Sequence, residues 1–142
     1  MSIVDVPIGF APFDRSSPFL DRVGPLWVAR GGARPVFGLR VADHHLNNRG
    51  TAHGGVLSTF ADIVCGYTIL WTREPAPNLT TVHLATEYLS AARHGEWLQG
   101  TAEVRARSAR IACAHAVVHA GDRLVVQATG LFQARPSEGE DP

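Results

Sequence analysis

Lysine is absent from this 142-residue chain: its thirteen basic side chains are all arginine, set against thirteen acidic ones. With the charges cancelled there is no global field to gather nucleic acid or an anionic membrane, so neither is expected as a partner. Arginine suits planar, bidentate contacts with phosphate or carboxylate, although a lysine-free composition also fits a bias of the genome. Cysteine is scarce, and Cys65 and Cys113 lie in apolar surroundings without C-x-x-C spacing. The opening "MSIVDVPIGFAPFDRSS" lacks a basic stretch followed by an apolar run, and together these features lead us to expect a reduced, cytoplasmic location. Long hydrophobic runs are missing too. The longest, Val56 to Trp71, has 16 residues and contains Asp62, short of the ~20 mostly uncharged residues of a membrane span. It reads as a buried helix.

The length fits one domain with a core of ordinary size. We expect an N-terminal segment over 1–24, a single domain over 25–135 and a disordered tail over 136–142. In the first segment, "SSPFLDRVG" has the marks of a short capped helix, with Ser before Pro and Gly at the end. "LWVAR" and "VFGLRV" read as strands split by the turn-rich "GGARP". After the polar loop "ADHHLNNRGTAHGG" the apolar residues from Gly54 to about Thr72 keep to no single stripe, as in a helix surrounded on nearly all sides. The prolines of "REPAPN" should stop it.

Four strand-like runs follow, "LTTVHLATEYL", "EWLQGTAEVRAR", "RIACAHAVVHA" and "RLVVQATGLFQAR". In the first, alternation puts Val82, Leu84 and Tyr88 on one face, expected to be buried, and Thr81, His83 and Glu87 on the other. The Gly-Asp pair of "AGDR" marks a tight hairpin. One helix followed by antiparallel strands can bury an all-round apolar helix only if the sheet curls about it. The fold class is therefore α+β, an antiparallel sheet wrapped around a long central helix. Apolar sheet left over would make a homodimer.

The chemistry concentrates in "NNRGTAHGGVLSTFADIVCGYTILW". Gly54 and Gly55 fall at the helix N-terminus, where backbone N–H groups lack intrahelical partners and the dipole favours negative charge. No side chain shields those amides, so a substrate carbonyl can approach them, although the pair by itself is explained more simply as a plain glycine-rich helix entry. Asp62, flanked by apolar residues, should be buried with its pKa raised, which suits a base or nucleophile; a structural acid paired with Arg is the alternative. Gly66 weakens the helix interior and fits close packing against the sheet. Seven histidines raise the question of a metal, but H-E-x-x-H is absent, His83, His115 and His119 fall in strand-like runs where structural histidines are expected, and no metal is expected. Phosphate-loop, dinucleotide and G-x-S-x-G fingerprints are absent as well.

Taken together, "HLNNRGTAHGGVLSTFAD" resembles the signature of hotdog-fold acyl-CoA thioesterases of the phenylacetate-degradation type, and the resemblance covers roughly residues 15–135. It implies that Asp62 is the general base or nucleophile and that the Gly54 N–H polarises the thioester carbonyl, with Gly55 beside it. It also implies that Asn47 orients substrate or water, that His53 braces the helix entry, and that the Thr81 hydroxyl lies near the acid. Coenzyme A would be met by Arg93, Arg107, Ser108 and Arg110, or these form a solvated strand face. "SAAR" departs from the family, where Pro often follows the Ser. No cofactor is implied, since coenzyme A belongs to the substrate.

Gly54 and Asp62 lie ~12 Å apart along one helix, too far to serve a single carbonyl, so each site should draw on two chains of a homodimer, or of a homotetramer built as a dimer of dimers. Phe60, Tyr67, Leu70 and Trp71 are available to line an aryl or medium-chain acyl pocket. Two rivals are an enoyl-CoA hydratase of the same fold, with Asp43 and His44 as its acid and base, and a non-catalytic acyl-CoA binding module.

Overall fold

The computed structural model describes residues 5–72 and 76–135. Helix α1 spans Pro18–Val23: Ser17 Oγ accepts the Leu20 N–H at 3.2 Å, Pro18 enters without needing a donor, and the Gly24 N–H closes the end on the Leu20 carbonyl. A two-residue strand β1, Ala11–Pro12, precedes it, and strands β2, Leu26–Ala29, and β3, Val36–Arg40, follow as an antiparallel pair on either side of the expected turn. A 3₁₀ turn over Asp43–His45 leads into the central helix α2, Gly54–Leu70. The stop assigned to "REPAPN" falls partly on residues 73–75, outside the described residues, as do the 136–142 tail and residues 1–4.

Strands β4 (Asn78–Tyr88), β5 (Trp97–Arg107), β6 (Ile111–Ala120) and β7 (Arg123–Arg135) complete one antiparallel sheet in the order β1-β2-β3-β5-β6-β7-β4. Gly121 takes φ +60° at the first centre of the two-residue β6–β7 turn, where Ala120 pairs with Arg123. That is the primed hairpin geometry the Gly-Asp pair demands.

The sheet curls around α2. Its inner face is made of small residues, among them Ala102, Ala112, Ala114, Ala116 and Ala128, all buried. These let the helix sit close, and it fills the space with Phe60, Val64, Cys65 and Ile69, each with no exposed surface. At its C-terminal end Trp71 stacks on Phe37 at 5.6 Å and meets Phe13 and Tyr67, while the Arg30 guanidinium lies 3.8 Å over its ring.

β4 departs from the simple alternation. A bulge between Thr81 and His83 inserts Val82, so Thr81 pairs with Phe132 and His83 with Leu131. The extra residue flips the pleat, and Leu79 and Thr81 share the helix-facing side with Leu84, Thr86 and Tyr88. Neither face is well buried, because β4 is the sheet edge: Val82 is 57% and Tyr88 52% exposed.

Candidate active site

The loop before α2 is built by its own polar side chains. Asn47 Oδ1 accepts the N–H groups of Arg49 (2.9 Å) and Thr51 (3.2 Å), and its Nδ2 donates to Thr51 Oγ1 at 3.1 Å. This Asx turn, with Gly50 at φ +78°, sets the chain direction into the helix. His53 is the N-cap: its Nδ1 accepts the Gly55 N–H at 2.8 Å, and its carbonyl takes the N–H groups of Val56 and Leu57. The Gly54 N–H is left as the first-turn amide without a partner among the described residues. Gly55 is thus part of the cap, and Gly54 is the free donor. The His53 side chain is spent on the cap and that of Asn47 on the turn.

Tyr88, on the helix-facing side of β4 where alternation expects it, packs beside Gly54. A Cβ built at Gly54 would lie 3.4 Å from the Tyr88 ring, and the Tyr88 hydroxyl is hydrogen-bonded to Ser58, one helical turn on. A pocket of about 430 Å³ opens here, lined by Asn47, Arg49, Gly54, Leu57, Tyr88 and Ser90. Arg49 at its rim was missed from sequence, having no motif signal beyond its place beside Asn47.

Asp62 lies in a different pocket. Its carboxylate accepts the Thr81 hydroxyl at 2.7 Å, and it shares a space of about 270 Å³ with Ile63, Gly66, Tyr67, Leu70, Leu79 and Phe132. The expected enclosure is not found within one chain: Asp62 is half-buried, because the neighbouring edge strand leaves this side of α2 open. Of the four candidates for an acyl pocket, Tyr67 and Leu70 line it, Phe60 is sealed in the core, and Trp71 belongs to the aromatic cluster.

The four groups assigned to coenzyme A are scattered. Arg93 is exposed near the Gly54 pocket, its backbone bridged to Thr51 and its side chain 3.9 Å from Glu96. Arg110 stands exposed at the β5–β6 turn. Arg107 is held by the end of α2, donating to Thr72 Oγ1 at 2.5 Å and to its carbonyl, and Ser108 Oγ accepts the Ile111 N–H within its own turn. "SAAR" closes the Gly54 side: Arg123 donates to Ala91 O at 3.0 Å and to Glu96 at 2.6 Å, and the Ala52 N–H donates to Ala92 O. The Arg123 hydrogen bond, with Arg93 nearby, keeps the Glu96 carboxyl below its ordinary range.

Several other titratable groups are occupied structurally. His45 is buried, with Nδ1 accepting the Ala42 N–H at 2.9 Å and Nε2 donating to the Val23 carbonyl. That arrangement requires the neutral ring, and burial lowers its pKa accordingly. His44 bonds the Gly24 carbonyl at 2.7 Å and Asp43 pairs with His94 at 2.9 Å, so the acid-base pair of a hydratase is turned to other partners. The Cys65 thiol is pushed up to about 12 by burial, then by Asp62 and Cys113, which leaves it protonated and inert near neutrality. No cluster of metal-ligating side chains occurs among the described residues, and no helix there is long and apolar enough to cross a membrane.

The family model described as the thioesterase superfamily matches residues 49–127. A Pseudomonas aeruginosa protein carrying a provisional esterase name is 43% identical over 92% of this chain and 98% of its own. Acyl-coenzyme A thioesterase 13 of Homo sapiens is 31% identical over 54% of each chain, so this chain spans about half of that relative. Among solved structures, zebra fish thioesterase superfamily member 2 superposes with a TM-score of 0.75 at 27% identity, covering 84% of this chain and 88% of that one. The chain belongs to the thioesterase superfamily. It is a thioester hydrolase of the hotdog fold, its sheet wrapped about a single long helix.

Proposed function

We propose that the chain is an acyl-CoA thioesterase whose site forms between two copies related by a two-fold axis. The observation that carries this reading is the separation of the two chemical halves on α2. A free N–H at Gly54 faces one open pocket, and a carboxylate braced by Thr81 faces another, eight residues on. The rise between them is ~12 Å, so antiparallel apposition of two α2 helices is what brings one copy's Gly54 to the other's Asp62. The exposed β4 edge beside them supplies surface for that pairing.

Within such a site Asp62 activates water for attack on the thioester carbonyl, or attacks it directly and is released by water in a second step. Both routes need the carboxylate held as Thr81 holds it. The negative charge that develops on the carbonyl oxygen is received by the Gly54 N–H at the positive end of the helix. The thiolate leaves with little need of protonation, which accords with the absence of a second acid in the Asp62 pocket among the described residues. The human relative's name supports acyl-CoA as the substrate class. The apolar lining by Ile63, Tyr67, Leu70 and Phe132 suits an aryl or medium-chain acyl group. Arg93 and Arg49, near the Gly54 pocket, are the cations best placed for the phosphates of coenzyme A, with Arg110 further off and Arg107 committed to the helix end.

Free thiol release from a panel of acyl-CoAs, by wild type and by Asp62→Asn, tests the reading. The variant should fold, bind acyl-CoA and lose turnover by about a thousandfold, since it keeps the acceptor for Thr81 and loses the base. Near-full turnover in the variant would remove Asp62 from the chemistry, and none in the wild type on any acyl-CoA would leave a binding module instead.

A further inference from the structure

Glycine at position 66 is demanded by nothing described within this chain. Elsewhere the sheet forces glycine: a Cβ at Gly38 would lie 2.2 Å from the Trp97 ring, at Gly100 2.7 Å from Val64, and at Gly130 2.6 Å from Phe132. At Gly66 the nearest atom would be Phe132 Cε1 at 3.4 Å, an ordinary contact, and the backbone is helical. Alanine would fit and would favour the helix more strongly. What the missing methyl provides is space in the wall of the Asp62 pocket. Gly66 follows Asp62 by four residues, so it lies on the same face of α2 about 6 Å further along.

We propose that Gly66 is a specificity-determining residue, its bare backbone giving the clearance through which an acyl group runs from the Asp62 carboxylate to the apolar end at Tyr67 and Leu70. The substrates it admits carry bulk at that depth, as octanoyl and phenylacetyl groups do and acetyl does not. This rests on the Asp62 pocket being the acyl site. A methyl at 66 fills the passage at the level of the ring or mid-chain, and one methyl group of overlap in an apolar pocket is worth roughly ten- to hundredfold in discrimination.

The test compares wild type with Gly66→Ala in two assays, binding of non-hydrolysable S-ethyl and S-octyl coenzyme A thioethers, and hydrolysis of acetyl-, octanoyl- and phenylacetyl-CoA. In the variant the ratio of kcat/KM for octanoyl or phenylacetyl over acetyl should fall roughly ten- to hundredfold. The octyl-to-ethyl ratio in Kd should shift in the same sense, and the melting temperature should rise by about 3–5 °C. Unchanged ratios overturn the proposal. So does a uniform loss on every substrate with dissociation of the dimer in sedimentation, which makes Gly66 a helix-to-helix packing residue. If the wild type prefers the octyl thioether, Gly66→Ala abolishes that preference and no acyl-CoA is hydrolysed, the clearance stands and the thioesterase reading falls. Should Gly66→Ala unfold, Gly66→Ala with Phe132→Leu keeps the methyl and removes the ring it meets. Measured against Phe132→Leu alone, that pair should show the same fall in ratio, and its absence overturns the proposal.

Discussion

A site shared between two chains makes a quantitative demand on mixtures of dead variants. Asp62→Ala removes the carboxylate and leaves the Gly54 end untouched, whereas Asn47→Ala removes the side chain that holds the turn leading into that end. Because the two lesions lie in different pockets of one chain, a mixed dimer concentrates both in one site and leaves the other complete. With random pairing at equal proportions half the dimers are mixed and half of their sites work, so unfolding and refolding the variants together should restore about a quarter of wild-type activity. At one part to three the same argument gives about three sixteenths, so activity should trace a parabola in the mixing fraction. Thiol release after co-refolding measures it, with differently tagged chains to show that mixed dimers form. If mixed dimers are present and the mixture stays as inactive as its parents, the site is completed within one chain and the reasoning from helix rise is wrong.

Two further outcomes bear on the chemistry and the fold. Cys65→Ala with Cys113→Ala should cost about 1–2 kcal/mol of stability, because Cys65 is fully buried, yet leave activity per folded molecule intact, also in the presence of chelators. Loss of turnover on chelation with recovery on adding zinc would overturn the metal-free mechanism. Stability against pH should decline on the acid side in two stages. Burial holds His45 below its ordinary 6.5 in the fold, so the unfolded chain binds the proton first. Its contribution is complete above 6.5 and is lost as pH falls from there through the folded value. Glu96, held below 4.5 by Arg123, contributes fully above 4.5 and is lost as pH falls through its own folded value. Urea melts from pH 7 downward should show both stages, with the upper one missing in His45→Gln; a flat profile from pH 7 to 5 would contradict the His45 assignment.

The order of elements was legible because each carries a local signal. Ser17, Pro18 and Gly24 bound α1 whatever surrounds them, and the Gly-Asp turn needs only a positive φ that Gly121 supplies. The helix entry was equally local, since His53 caps Gly55 within three residues. Asp62 stood out for the same reason, as the one charge in an apolar run. Strand β4 read correctly only beyond Val82, because that single bulged residue breaks the alternation between Thr81 and Leu84 and leaves no mark in composition. Leu84 and Tyr88 face the helix as alternation expects, whereas Thr81, before the bulge, meets the carboxylate instead of solvent.

Composition, capping and the period of the apolar residues thus determined that a long buried helix, opened by two glycines and interrupted by one acid, would be wrapped by an antiparallel sheet. They did so because those preferences act over a few bonds. Only the tertiary structure decided what the polar groups touch. It spent Arg107 on the end of α2, His45 on two backbone groups and Asn47 on its own turn, and it left Gly54 N–H and Asp62 facing separate open pockets. Those outcomes depend on which strand lies at the sheet edge and on a one-residue shift of register, and both are set by contacts between segments far apart in the chain.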